Sequence, residues 1–148
     1  MKCAGFFRKQ LNSDKMKKFL ILVGILCTLT LDVFAQQYNY RVDRVNGAIY
    51  NESTGQYDWG DTQDTDVSIS IYTDTNQIII YSATPQFFTL KGSLNYPIFP
   101  EYKSYTNSFV ATDNNGVKCQ VNFTRNSYGN CWIFIVYSNV VLAYRLEV

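Results

Sequence analysis

The sequence predicts an all-β protein whose antiparallel strands follow one another in an up-and-down meander and close into a small barrel of about eight strands. Three observations predict this fold class. Apolar and polar residues alternate along short segments, the segments recur about every ten to twelve residues, and turns rich in Asn, Asp and Gly separate them. Closure into a barrel would bury the apolar face and leave no sheet edge. A two-sheet sandwich is the alternative.

The predicted strands begin directly after residue 36. In chain order they cover residues 38–45, 67–73, 77–82, 86–90, 107–113, 117–124, 131–137 and 140–148. Residues 48–59 are ambiguous, with a turn at residues 53–55. Residues 91–107 are irregular, because Gly and Pro interrupt them. The sequence Asn114-Asn115-Gly116 predicts a tight hairpin, since Asn-Gly readily takes the positive φ angles of a type I′ turn.

The N-terminal residues 1–35 are predicted to be a signal peptide, with Met16 as the true start. Met16-Lys17-Lys18 is followed by the apolar run 19–31, and Val33-Phe34-Ala35 has the small-x-small pattern of a cleavage site. This run is shorter than the roughly 20 residues that span a bilayer, so no stable membrane span is expected in the mature chain. The protein is therefore expected to be exported, to the periplasm or outside the cell, with residues 36–148 as a single barrel domain.

Charge and composition exclude several classes of function. The part that follows Gln36 has seven basic and ten acidic residues, which is no electrostatic footprint for nucleic acid. The chain contains no histidine, so Ser-His and Cys-His nucleophile pairs and His-ligated zinc are absent. We therefore expect a protein that is not an enzyme and that carries no cofactor.

Two cysteines, Cys119 and Cys131, follow the leader and could form a disulfide in an exported chain. If the turn between their strands centres near Ser127-Tyr128, Cys119 lies opposite about Val136 and not opposite Cys131. The two residues would then be roughly 15 Å apart along the ladder, whereas a disulfide needs Cα atoms within about 7 Å. No disulfide is expected.

One acidic loop is a candidate metal site. Asp58, Asp61, Asp64 and Asp66 fall within nine residues, and carboxylate oxygens are the ligands that calcium prefers. Their spacing is not that of an EF-hand, and no glutamate closes the loop. The favoured interpretation is a solvated loop that binds no metal, in which Asp and Thr side chains bond to the local backbone.

Aromatic residues are the richest feature, since all 12 tyrosines and both tryptophans follow Gln36. Core packing explains many of them. Tyr72, Tyr81, Trp132 and Phe134, however, are predicted to lie opposite the core face of their strands, and they are the candidate ligand-binding residues. Trp132 and Phe134 give their strand two apolar faces, which is typical of a strand that is covered on both sides or carries a contact patch.

A resemblance supports the barrel. The segments 57–59, 67–71, 77–82 and 86–88, continued by 109–121 and 140–144, resemble small exported β proteins of gut Bacteroidetes and are similar overall to lipocalin-like barrels. The chain has no Gly-x-Trp lipocalin signature near its first strand. The resemblance therefore implies a barrel and no particular activity.

Two functions follow as hypotheses. The first is a non-enzymatic binding module that holds a small apolar or aromatic molecule in the barrel interior. The alternative is an interaction or structural domain that uses an exposed aromatic face to contact a protein or a glycan.

Overall fold

A computed structural model of the protein describes residues 36–94, 97–101 and 104–148. These residues belong to one compact unit, and the predicted signal peptide lies outside them. The described residues contain ten strands and no helix. The strands are β1 (Gln37–Asn51), β2 (Gln56–Trp59), β3 (Gln63–Asp64), β4 (Ser68–Tyr72), β5 (Gln77–Tyr81), β6 (Gln86–Lys91), β7 (Tyr105–Asp113), β8 (Lys118–Arg125), β9 (Cys131–Val136) and β10 (Val140–Glu147).

The strands form a closed antiparallel barrel. From β4 to β10 each strand pairs with its neighbour in sequence, and β1 pairs with β4 along one edge. The other edge of β1 pairs with β10, from Arg41 opposite Glu147 to Ile49 opposite Val140, and this ladder closes the ring. Eight strands therefore make the barrel, as the sequence predicts, and the sandwich alternative is excluded. The short strands β2 and β3 are additional and pair with β1 alone.

Strand β1 is longer than the alternation predicts. A β-bulge falls at Asp43, where the ladder to β10 shifts by one residue, and the strand then continues to Asn51. The ambiguous segment 48–59 is a hairpin. Its turn is stabilised by the Asn51 carbonyl, which accepts a bond from the Gly55 amide, and by the positive φ of Gly55 (69°). We call residues 46–60 the β1–β2 ribbon.

Side chains fill the interior of the barrel. Alternate residues of every barrel strand point inward, and eleven of those larger than alanine are less than 2% exposed. These are Val42, Ile69, Ile71, Ile78, Ile80, Phe88, Val121, Phe123, Cys131, Ile133 and Ile135. Surfaces this inaccessible to a water-sized probe are in contact with other protein atoms, which is the packing expected of a small barrel.

The two ends of the barrel differ. At the lower end, the connection between β6 and β7 contributes the buried residues Leu94, Ile98 and Phe99. The Phe99 ring packs edge-to-face on Tyr40 and on Phe123, each with ring centroids 5.9 Å apart. At the upper end lie the β1–β2 ribbon and the tight turns after β5, β7 and β9. Leu94, Ile98 and Phe99 therefore cover the core at the lower end.

An ion pair spans the closing ladder at the bulge. Arg145 Nε donates to both carboxylate oxygens of Asp43, at 2.8 and 3.0 Å, and Nη2 donates to Oδ2. Both side chains are about a quarter exposed. The guanidinium group holds the pKa of Asp43 below its usual value of 3.8.

This pair predicts a pH-dependent contribution to stability. A carboxylate whose pKa is lower in the folded protein stabilises the fold above its unfolded pKa, and the contribution disappears as the pH falls through the folded pKa. The Arg145→Gln variant should therefore be less stable than the parent at neutral pH, and the difference should shrink below about pH 4. Urea unfolding midpoints at several pH values measure this. Arg41→Gln, which breaks an exposed pair with Asp66, serves as the control. A difference that stays constant down to pH 2 would contradict the prediction.

Candidate functional site

The outward face of β9 carries the strongest candidate surface. Trp132 and Phe134 are half-buried and alternate with the fully buried Cys131 and Ile133. Their rings stack with centroids 6.0 Å apart and an angle of 21° between the ring planes. The sequence therefore assigned these two residues to the correct side of the strand.

Strand register extends this apolar surface across the closing ladder. Phe134 lies opposite Ala143 on β10, which lies opposite Asn46 on β1. One row further up, Val136 lies opposite Val141, and Val141 lies opposite Ala48. Residues that are directly opposite in a sheet point to the same side, so both rows belong to the outer face.

The surface continues onto the ribbon. Tyr50 lies opposite Tyr57, and their rings are in contact with centroids 5.3 Å apart. Trp59 lies opposite Ala48, at the edge of the sheet, and is 51% exposed. We call this surface the outer aromatic face. Its exposed or half-buried residues are Trp132, Phe134, Val136, Tyr50, Tyr57 and Trp59, and the buried residues Ala48, Val141 and Ala143 lie on the same side of the sheet between them.

Polar groups contribute little to the middle of this face. The side chains of Asn46 and Asn122 flank the row of Phe134 and Ala143, and the Oδ1 atoms of both are buried without a hydrogen-bond partner. Asn46 Nδ2 donates to Thr62 Oγ1 at 3.3 Å. Buried oxygens cannot accept a bond from a ligand at the surface, so the centre of the face is apolar in character.

Tyr72 and Tyr81, the other two predicted site residues, lie elsewhere on the barrel. They are on β4 and β5, and β10 and β1 separate them from β9. A hydrogen bond with Tyr81 raises the pKa of Tyr72. Ser70 lies on the same side of the sheet, in the row of paired residues between those of Tyr72 and Tyr81. It is buried although it points outward, and its hydroxyl donates to Asn39 Oδ1 at 2.6 Å. The four predicted residues thus form two separate pairs, and the tyrosine pair is engaged in contacts within the protein.

The carboxylates of the acidic loop do not converge. Asp58 accepts a bond from Asn51 Nδ2 at 2.8 Å, Asp64 lies opposite Arg44, and Asp66 pairs with Arg41 at 3.0 Å. In the described part of the chain, no three side chains of the metal-binding types come together as a metal site would require. Asp58 and Asp66 instead bond to side chains of β1.

The thiols of Cys119 and Cys131 are both free and both buried. Cys131 lies opposite Arg125, and Val136 lies opposite Gln120, which is the residue after Cys119. Burial raises the pKa of both thiols, that of Cys119 to about 11. Neither cysteine has the lowered pKa and exposure of a reactive nucleophile.

At the upper end of the barrel, Asp113 is also fully engaged. Its Oδ1 accepts bonds from the amides of Asn115 and Val117, at 2.9 and 2.8 Å, and its Oδ2 accepts one from the Tyr137 hydroxyl at 3.1 Å. The Val117 amide is the main cause of the lowered pKa of Asp113. This carboxylate stabilises the β7–β8 turn, which is the role expected of an aspartate at the start of a tight turn.

The fold and the site together define a small closed β-barrel with an aromatic outer face. Comparisons of the chain with protein-family models, with curated proteins and with solved structures give no match. Across the residues that the structure describes, no helix combines the length and the apolar character needed to cross a membrane.

Proposed function

We propose that this protein is an exported, non-enzymatic binding module that contacts another protein through its outer aromatic face. The observation that carries the proposal is that the aromatic side chains of β9, of Tyr50 on β1 and of β2 lie on one side of the sheet, with only the buried apolar residues Val141, Ala143 and Ala48 on the strands between them. Exposed aromatic side chains grouped in one apolar patch are typical of interaction sites. The barrel interior is filled by side chains, so the outer surface offers the more favourable place for a ligand.

Residue composition favours a protein partner over a glycan. The rows between the aromatic rings contain the half-buried Val136 and the buried residues Val141, Ala143 and Ala48, and none of these side chains forms hydrogen bonds. Protein interfaces combine an apolar centre with Trp, Tyr and Phe, as this face does. A sugar chain needs polar groups between the rings, and the amide oxygens nearest the centre are buried.

The surroundings of the carboxylates and thiols support a binding role over a catalytic one. Several carboxylates with defined partners contribute to the fold, namely Asp43 with Arg145, Asp66 with Arg41 and Asp113 with its turn. The thiols are buried and their pKa values are raised. A general acid or base must lie within reach of a substrate and have a pKa near the working pH. The carboxylates named above are bound to partners within the fold, and the thiols are buried.

The proposal predicts loss of association when an aromatic anchor is removed. A photoreactive amino acid at Gln120, an exposed residue on β8 beside the face, should form an adduct with a partner protein in the producing cells. Phe134→Ala in the same chain should lower the partner's affinity by about thirtyfold or more, because central aromatic anchors contribute about 2 kcal/mol or more. Adduct yield as a function of partner concentration measures the change.

A matched control distinguishes specific binding at the outer aromatic face from nonspecific hydrophobic association. Phe87→Ala removes an aromatic side chain of the same size that is 48% exposed on the outer side of β6. This variant should leave the adduct unchanged. Equal loss with both variants, or retention of the protein on a polysaccharide in place of any protein adduct, would refute the proposal.

A further inference from the structure

A groove lies beside the β1–β2 ribbon and borders the outer aromatic face. Its volume is about 830 Å³, and the side chains of Val45, Ile49, Val140 and Leu142 are among those that line it. Strand register places Val45 and Ile49 on one side of β1, and Ala48 and Tyr50 on the other. Ala48 and Trp59 also line the groove. Its apolar wall therefore lies on the other side of β1 from the outer aromatic face, and the two surfaces meet at the ribbon.

The apolar wall of the groove is unusually exposed. Ile49 is 66% exposed, although the four isoleucines of β4 and β5 that point into the barrel are completely buried. It lies opposite Val140 on β10, and the half-buried Leu142 follows two residues further along that strand. Covering this side chain with an apolar ligand would release water from a large apolar area, which favours binding.

The rim of the groove is acidic. Asp58 and Asp61 line it together with Trp59, and no lysine or arginine is among its lining residues. The hydrogen bond that Asp58 accepts comes from a neutral amide, that of Asn51, so the charge of the carboxylate is not neutralised. Carboxylates near an aromatic ring and an apolar wall suit a cation that has an apolar body.

We propose that this groove binds a small amphiphilic amine, whose apolar body packs on Ile49, Val140 and Leu142 and whose ammonium group lies beside Asp58 and Asp61. A fatty acid would bring its carboxylate next to two aspartates, and like charges at this distance repel. A neutral lipid would gain the apolar contact without the charge interaction. The groove is thus selective for the sign of the ligand's charge.

The test compares three probes of equal chain length on the protein purified from the cells that produce it. Decylamine and decanoate are titrated by calorimetry below their micelle concentrations, and decanol is titrated below its solubility limit. Decylamine should bind saturably and at least about tenfold more tightly than decanoate. The difference combines the attraction between the ammonium group and the aspartates with the repulsion between the aspartates and the carboxylate of decanoate. Equal affinities for decylamine and decanoate, or no saturable binding of decylamine, would overturn the proposal.

Two variants locate the site. Ile49→Ser should weaken decylamine binding by about tenfold through lost apolar contact, and Asp61→Asn should weaken it by about fivefold through the lost charge. The controls are Val110→Ser, at a position on β7 that is 51% exposed, and Asp74→Asn, in the β4–β5 turn at the other end of the barrel. The controls should bind as the parent does. A loss of the same size in the controls would overturn the assignment to this groove, and unchanged urea midpoints in all four variants confirm that each is folded.

Discussion

Replacing Phe123 by alanine is expected to lower the free energy of unfolding by about 3–5 kcal/mol. The Phe123 side chain is 1% exposed, and its ring packs edge-to-face on Phe109 and Phe99, with centroids 5.8 and 5.9 Å apart. It therefore joins the barrel core to the segment that covers the lower end. Alanine would leave a cavity and remove both ring contacts. Urea unfolding, followed by circular dichroism, measures the change.

The size of this effect can be compared with that of a substitution at an exposed residue that makes few contacts. Tyr128, in the turn between β8 and β9, is 89% exposed, and Tyr128→Ala should alter the free energy of unfolding by about 0.5 kcal/mol or less. Phe123→Leu should fall between the two, because it keeps most of the buried volume. A loss below about 1 kcal/mol for Phe123→Ala would show that the interior is looser than the burial of its side chains indicates.

Period-two alternation predicted most of the fold, because one face of each strand is buried and the other is not. Seven of the eight predicted strands match β4 to β10 to within about two residues, well inside the usual error at element boundaries. Val117 shows where alternation fails. It fits the inward pattern of β8, yet it is 48% exposed because its amide bonds to Asp113 within the β7–β8 turn. Turn geometry overrides the pattern at such positions.

The length of strand β1 differs from the prediction for another reason. Its alternation ends near Val45, and Asn46-Gly47 is typical of a turn. In the structure this stretch is held between two neighbours, since the Gly47 carbonyl accepts from the Gly60 amide and Gly47 also lies opposite Leu142. Contacts with partners distant in the chain, which local propensity does not contain, kept the segment extended.

The candidate site could be predicted only in part. The outward position of Trp132 and Phe134 follows from their alternation with buried residues in one strand. Their proximity to Ala48 and to the ribbon depends on the pairing of β1 with β10, the first and last strands. Hairpins fix the register between neighbours in sequence, whereas barrel closure joins strands that no turn connects, so the sequence could not place the two halves of the face side by side.

The two thiols are expected to be protected until the barrel unfolds. Cys131 is completely buried and Cys119 is 7% exposed. A pKa of about 11 leaves the Cys119 thiolate about a hundredfold less populated at pH 8 than an ordinary thiol whose pKa is 9.0. Because the thiolate is the reactive form, labelling by Ellman's reagent should be slower in the native protein than in the unfolded protein by at least about a hundredfold.

The same measurement tests the redox state of the pair. Arg125, opposite Cys131, lies six positions along β8 from Cys119, which is about 20 Å at ~3.3 Å per residue. A disulfide between them would require β8 and β9 to separate, because its Cα atoms must lie within about 7 Å. In denaturant without reductant, both cysteines should therefore react at once. The control is Cys119→Ser, in which one thiol should be lost while Cys131 stays protected in native buffer. If the parent protein gave no reactive thiol in denaturant, the pairing of β8 with β9 would have to be wrong, and with it the placement of Trp132 and Phe134 on the outer face.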